Sequence, residues 1–157
     1  MQQRFLYRSA YPDVVRAMVT LTQAVEKTGL PLELIDLVNY RVSQLNGCAF
    51  CLDMHSKDLR ARGETEQRLY MISAWREASH LYSDRERAAL AWAEAVTRLE
   101  NQQVPDAVFS TAIQQFSEAE LVQLTLAVVA INAWNRFNVA FHTPAGNYKS
   151  TVVHKTG

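Results

Sequence analysis

The sequence predicts an all-α protein, on three observations. Apolar residues recur at intervals of three and four along most of its 157 residues, glycines are scarce at five, and no window alternates apolar with polar residues between hairpin turns. Hydrophobic residues at 48% and charged ones at 20% are the balance of a globular chain, not a disordered one. At this length a single domain over residues 1–157 is the simplest division, and burying about two-thirds of the unfolded surface is normal. No internal repeat and no Pro-, Gly- or Ser-rich linker divides it.

A helical bundle of about seven helices is expected. Pro12 suits a first turn, and Val15, Met18, Val19, Thr22 and Val25 form a stripe that stops at Gly29. Pro31 opens the second helix, whose apolar positions Leu34, Ile35, Leu37, Val38, Val42 and Leu45 end at Asn46-Gly47. The third runs from about Cys48 to Arg62 and is closed by Gly63, so the second and third form a hairpin or sharp corner. Glu64 to Ala78 is the fourth, carrying Leu69, Ile72, Ala74 and Trp75. Ser83-Asp84-Arg85-Glu86 is a capping box that starts a fifth helix reaching about Glu100. Val104 to Gln115 is the sixth, and a second capping box, Ser117 to Glu120, opens the seventh, through about Asn138. Pro144 and Gly146 stop it, and the tail 147–157 is expected to be flexible.

With 16 basic and 16 acidic residues the net charge is zero, so neither nucleic acid nor an anionic membrane is an expected partner. The amino terminus lacks a secretory leader's apolar run, and Leu121 to Ile131 is far shorter than the ~20 residues that span a bilayer. A cytoplasmic setting is expected. In such a reducing compartment a lone pair of cysteines is no structural staple, which raises the case for chemistry at Cys48 and Cys51.

The stretch NGCAFCLDMHS holds both cysteines and, four residues after the second, His55. Helical residues three apart have Cα atoms roughly 5 Å apart, inside the range a disulfide tolerates. Cys48 sits at a helix start, where the dipole and unsatisfied N–H groups stabilise a thiolate, while the imidazole of His55 can reach the Cys51 sulfur along one face. An ordinary thiol with pKa about 8.5 is only ~3% thiolate at pH 7, against ~75% if that value falls to about 6.5, so a positioned base has much to add. Imidazole serves best beside a carboxylate, and Asp36 is the candidate. It lies roughly 15 Å back along the second helix from Gly47 and His55 roughly 10 Å along the third, neighbouring levels if the two pack antiparallel. A purely structural aspartate fits that face equally well.

Two other readings of the segment remain open. Buried, inert thiols are one. Zinc is the other, with Cys48, Cys51 and His55 as three ligands and Asp36, His80 or His142 as the fourth, none at a telling spacing. Covalent haem needs a histidine where Leu52 stands.

The segment ELIDLVNYRVSQLNGCAFCLDMH resembles the core motif of the AhpD-like alkylhydroperoxidase family, within the carboxymuconolactone decarboxylase superfamily. The likeness continues through GETEQRLYMISAWRE, SDRERAALAWAEAVT and LVQLTLAVVAINAWNRFNVAF. The family motif is a glutamate, twelve residues later the first cysteine of C-x-x-C, and a histidine four after the second cysteine; here Cys48, Cys51 and His55 match and Asp36 departs from it. Phe50 between the cysteines, where some members have histidine, makes the site more apolar.

The resemblance implies a thiol peroxidase in which a relay through Asp36 and His55 deprotonates Cys51, which attacks a hydroperoxide, and Cys48 resolves the resulting sulfenic acid as a disulfide. The helix dipole alone would have favoured Cys48 as the attacking thiol. The resemblance further implies no cofactor or metal, a dithiol reductant of lipoyl or thioredoxin type, and a homo-oligomer, trimer or hexamer. A protein disulfide reductase or redox sensor, or a non-catalytic ligand-binding member, are the alternatives.

Overall fold

The computed structural model describes residues 2–152, and all its regular structure is helical. The elements are α1 (Tyr7–Ala10), α2 (Pro12–Glu26), α3 (Leu32–Leu45), α4 (Ala49–Ala61), α5 (Glu66–Met71), α6 (Asp84–Arg98), α7 (Asp106–Gln115) and α8 (Glu118–Ala140). Single 3-10 turns lie at Ile72–Ala74, Ser79–Leu81 and Glu100–Gln102.

The middle of the bundle is α3, which packs against α4, α6 and α8. Its stripe Leu34, Ile35, Val38 and Val42 meets Ala88, Ala89 and Trp92 of α6 and Leu124, Ala127, Val128 and Ile131 of α8. Leu37, on its other side, joins Ile72, Trp75, Tyr82 and Leu90 in a second cluster. Both capping boxes form: the Ser83 and Ser117 hydroxyls accept from the backbone N–H of Glu86 and Glu120, whose carboxylates return the bond.

The turn between α3 and α4 decides where the cysteines sit. Gly47 adopts a left-handed φ of 64°, and the N–H groups of Gly47 and Cys48 bond back to the carbonyls of Gln44 (3.2 Å) and Ser43 (3.0 Å), a Schellman stop. Cys48 is therefore both the residue that closes α3 and the N-cap of α4. The corner is clamped onto α8, because Asn46 Nδ2 donates to Asn132 Oδ1 (2.9 Å) and Asn135 Oδ1 (2.8 Å), and Asn135 Nδ2 donates to Ser43 Oγ (3.1 Å).

Three details differ from the sequence expectation. The one-turn α1 was not expected; its Tyr7 stacks on Phe137 and Phe141 at the end of α8. The fourth expected helix stops at Met71 instead of Ala78, where the indole Nε1 of Trp75 (3.0 Å) and Nη1 of Arg76 (2.6 Å) donate to the buried Glu94 carboxylate, tertiary bonds that a straight helix would forgo. Residues 146–152 of the tail lie along α4: Gly146 N donates to Asp53 Oδ2 (3.0 Å) and Lys57 Nζ to the Tyr148 carbonyl (2.9 Å). The remainder of that tail, 153–157, lies outside the described residues.

Among the described residues no single helix is long and apolar enough to cross a membrane; α7 and α8 pass that test only as a pair bent by 117°. The apolar run of α8 is core, with Leu124, Val128 and Ile131 buried.

Candidate active site

Cys48 and Cys51 are joined by a disulfide at the start of α4, their Cα atoms 5.3 Å apart and each residue 1% exposed. The Cys48 sulfur also caps the helix, accepting from the Cys51 N–H at 3.3 Å. One turn on, His55 is buried, and its Nδ1 lies 3.4 Å from Asp36 Oδ1. That separation permits charge attraction, but the approach is off the line of a direct hydrogen bond, and neither ring nitrogen has a partner. The other Asp36 oxygen, Oδ2, accepts from Arg62 Nε at 2.8 Å. Thus the hairpin brings Asp36 and His55 to one level, and Arg62, at the last turn of α4, holds the carboxylate between them.

These groups share one cavity of about 530 Å³, lined by Cys51, His55, Asp36, Arg62, Asn39 and Asn138 on its polar side and by Ile35, Phe50, Met54, Ile131 and Trp134 on its apolar side. Cys48 does not line it. Asn138 Nδ2 donates to the Cys51 sulfur at 3.4 Å, and its Oδ1 accepts from the Tyr7 hydroxyl at 3.3 Å, which fixes the amide's orientation. The Oδ1 of Asn39 is buried without a partner.

The tail closes one side. The Tyr148 hydroxyl donates to the Asp58 carboxylate at 3.0 Å, and Thr151 and Val152 complete the wall. Burial, and then the neighbouring carboxylate, push the Tyr148 phenol up to about 12. Asp53, which anchors the same segment, is held below the usual carboxylate value, chiefly by its bond to Lys57.

Of the residues singled out from sequence, Cys48, Cys51, His55 and Asp36 therefore come together. Among the described residues no three His, Cys, Asp or Glu side chains are grouped as metal ligands, and His142, a candidate fourth ligand, instead turns its Nδ1 to the Gln2 carbonyl at 3.2 Å. Sequence reasoning missed Arg62, Asn138 and Tyr148. For Arg62 a signal was present: it sits fifteen residues past Gly47 and Asp36 eleven before it, about 6 Å apart in level at 1.5 Å per residue, which a guanidinium spans. Asn138 and Tyr148 stand about ninety residues from Cys51 and Asp58 and carry no local signal.

Comparison with known proteins agrees with this architecture. Residues 12–95 match the model of the carboxymuconolactone decarboxylase family. The chain is 37% identical over 147 residues to the uncharacterized protein YdfG of Bacillus subtilis (strain 168), covering 94% of this chain and 99% of that one. It is 40% identical, with a TM-score of 0.89, to the crystal structure of a protein of unknown function from Agrobacterium tumefaciens for which a role as the antioxidant defence protein AhpD has been suggested, covering 94% of this chain and all of that one. The debrominase Bmp8, solved with 2,3,4-tribromopyrrole, shares the fold at a TM-score of 0.77 and 20% identity, over 88% of this chain and 74% of that one.

Proposed function

The chain belongs to the carboxymuconolactone decarboxylase family and has the AhpD-like fold, and on that premise we propose that it is a thiol-dependent peroxidase reducing organic hydroperoxides through Cys48 and Cys51. The observation that carries this reading is the asymmetry of the pair: Cys51 lines the cavity together with His55, while Cys48 does not line it and serves as the helix cap.

In the reduced state His55 accepts the Cys51 thiol proton, and Asp36 stabilises the imidazolium. The thiolate attacks the terminal oxygen of ROOH; the O–O bond breaks, a proton returns to the leaving alkoxide, and ROH departs from Cys51 sulfenic acid. Cys48 then attacks that sulfur, and water leaves as the disulfide forms. In the disulfide state Asn138 Nδ2 donates to the Cys51 sulfur. A dithiol reductant, lipoyl-like or thioredoxin-like, returns two electrons and two protons. Burial of both cysteines favours small molecules and slender arms over a protein surface as the groups that reach them, which favours the lipoyl-like reductant over the thioredoxin-like one and weighs against protein disulfide exchange as the main activity. A reducing cytoplasm suits the cycle. Val122, 71% exposed on α8, and Val129 support association with further copies of the chain, a trimer or hexamer.

The test is stopped-flow oxidation of the reduced protein by cumene hydroperoxide. Wild type is expected to form the disulfide in one phase. Cys51→Ser is expected to be inert, and Cys48→Ser to stop at a sulfenic acid that a dimedone probe traps on Cys51. Oxidation of Cys51→Ser at the wild-type rate would sink the assignment of Cys51 as the attacking thiol, and a wild type inert to the hydroperoxide would leave a ligand-binding member as the better reading.

A further inference from the structure

Arg8, exposed at the mouth of the cavity, is the cation there for which the fold supplies no carboxylate among the described residues. Its guanidinium carbon lies 5.7 Å from the ring centroids of Tyr7 and Trp134 and 5.8 Å from that of Phe50, the residue before Cys51. Ring faces hold a guanidinium in place, yet leave its in-plane N–H edge free to form paired bonds to a carboxylate. A second, shallower cavity of about 430 Å³, open towards Pro12 and Thr20, shares Arg8, Val15 and Val19 with the first, so the arginine stands where an outer groove meets the reaction chamber.

The other charges around this space are placed differently. Asp36 is bonded to Arg62, Asp58 to Tyr148, and Arg16 to Asp13. Glu26 faces the first cavity eleven residues beyond Val15 on α2, about 16 Å further along the helix axis. A ligand carboxylate is thus attracted at the Arg8 end and repelled at the Glu26 end, while Val15, Val19, Ile35 and Ile131 offer its body an apolar track.

We infer that Arg8 is a carboxylate-binding residue that selects amphipathic organic acids, and that the preferred hydroperoxides are those of fatty acids. The choice of substrate rests on the peroxidase reading; the binding site does not. The test compares linoleic acid hydroperoxide with its methyl ester, below micellar concentration, in wild type, Arg8→Lys and Arg8→Gln. Wild type should react at least about fivefold faster with the acid, a preference that shrinks as salt is raised. Arg8→Gln should bring the acid-to-ester ratio close to one, and Arg8→Lys should retain part of it.

A ratio unchanged by Arg8→Gln, or absent from wild type, overturns the inference and leaves Arg8 as a packing residue on three rings. If no hydroperoxide oxidises the pair, the peroxidase reading fails separately, and calorimetric titration with octanoate and octan-1-ol decides the site. Octanoate binding that weakens several-fold in Arg8→Gln, with octan-1-ol unaffected, supports it. Equal responses of the two ligands overturn it.

Discussion

Replacing Asp36 by asparagine tests the relay most directly. The substitution keeps the shape and the bond to Arg62 but removes a negative charge 3.4 Å from His55 Nδ1. At an effective dielectric near 20, two unit charges at that distance attract by about 5 kcal/mol, which is a ceiling. Arg62, on the other carboxylate oxygen, cancels part of that field at the imidazole, so about 2 kcal/mol is the share available to an imidazolium–thiolate pair, roughly 30-fold in its population. Uncompensated Arg62 then repels the imidazolium and acts in the same direction.

Single-turnover oxidation by cumene hydroperoxide should be roughly 30-fold slower near pH 7, and the deficit should narrow towards about pH 9, where hydroxide removes the thiol proton without help. Arg62→Gln, which leaves Asp36 to His55 alone, should be no slower than wild type. The reasoning is refuted if Asp36→Asn reacts within about twofold of wild type near neutral pH, or if its deficit is the same at every pH.

Two further substitutions test the structure around the site. Tyr148 and Tyr82 are both pushed up to about 12, mainly by burial, whereas an unfolded tyrosine titrates near 10. Their contributions to stability are therefore fully present below about pH 10 and lost as pH rises to about 12. Tyr148→Phe should remove one late step from the phenolate absorbance titration and make the alkaline loss of stability shallower, and an identical curve would contradict the burial of that phenol.

Glu94, 3% exposed, accepts from Arg41 Nε (2.7 Å), Trp75 Nε1 (3.0 Å) and Arg76 Nη1 (2.6 Å). Burial pushes its carboxyl up, but these bonds outweigh it and the net shift is down, so its contribution is present above the unfolded value near 4.5 and lost as the solution is acidified. Breaking a buried pair costs about 3–5 kcal/mol, so Glu94→Gln should lower Tm by about 10 °C. The variant's acid unfolding should also be less steep than wild type's. A Tm within about 2 °C of wild type would show that the cluster adds little.

The local rules of the chain were legible wherever backbone chemistry is short-range. Ser83 with Glu86 and Ser117 with Glu120 announce helix starts from four residues each, and Gly47 announces a corner because only a left-handed residue closes α3 there. The same corner makes the Asp36–His55 proximity readable, since two helices joined by so short a turn pack antiparallel. Long-range polar bonds were not readable. The helix expected through Ala78 breaks after Met71, where Glu94, eighteen residues on from Arg76, binds Trp75 and Arg76. Arg8 and Tyr148 reach the cavity from segments that flank the bundle, through contacts with no periodicity to betray them.

The wall built by residues 146–152 has a consequence for how such a pocket is retuned. The helices that set the positions of Cys51, His55 and Asp36 are complete by Ala140, and the core clusters contain nothing beyond Ile131 except the partly buried Trp134. One side of the chamber is thus drawn from chain that the core does not need. Changes at Thr151 or Val152 alter the cavity that Cys51 and His55 also line, and leave the helices that hold those side chains as they are. On the proposed reading, the part that would make the nucleophile is separate from a part that shapes the space around it, and the two can vary independently.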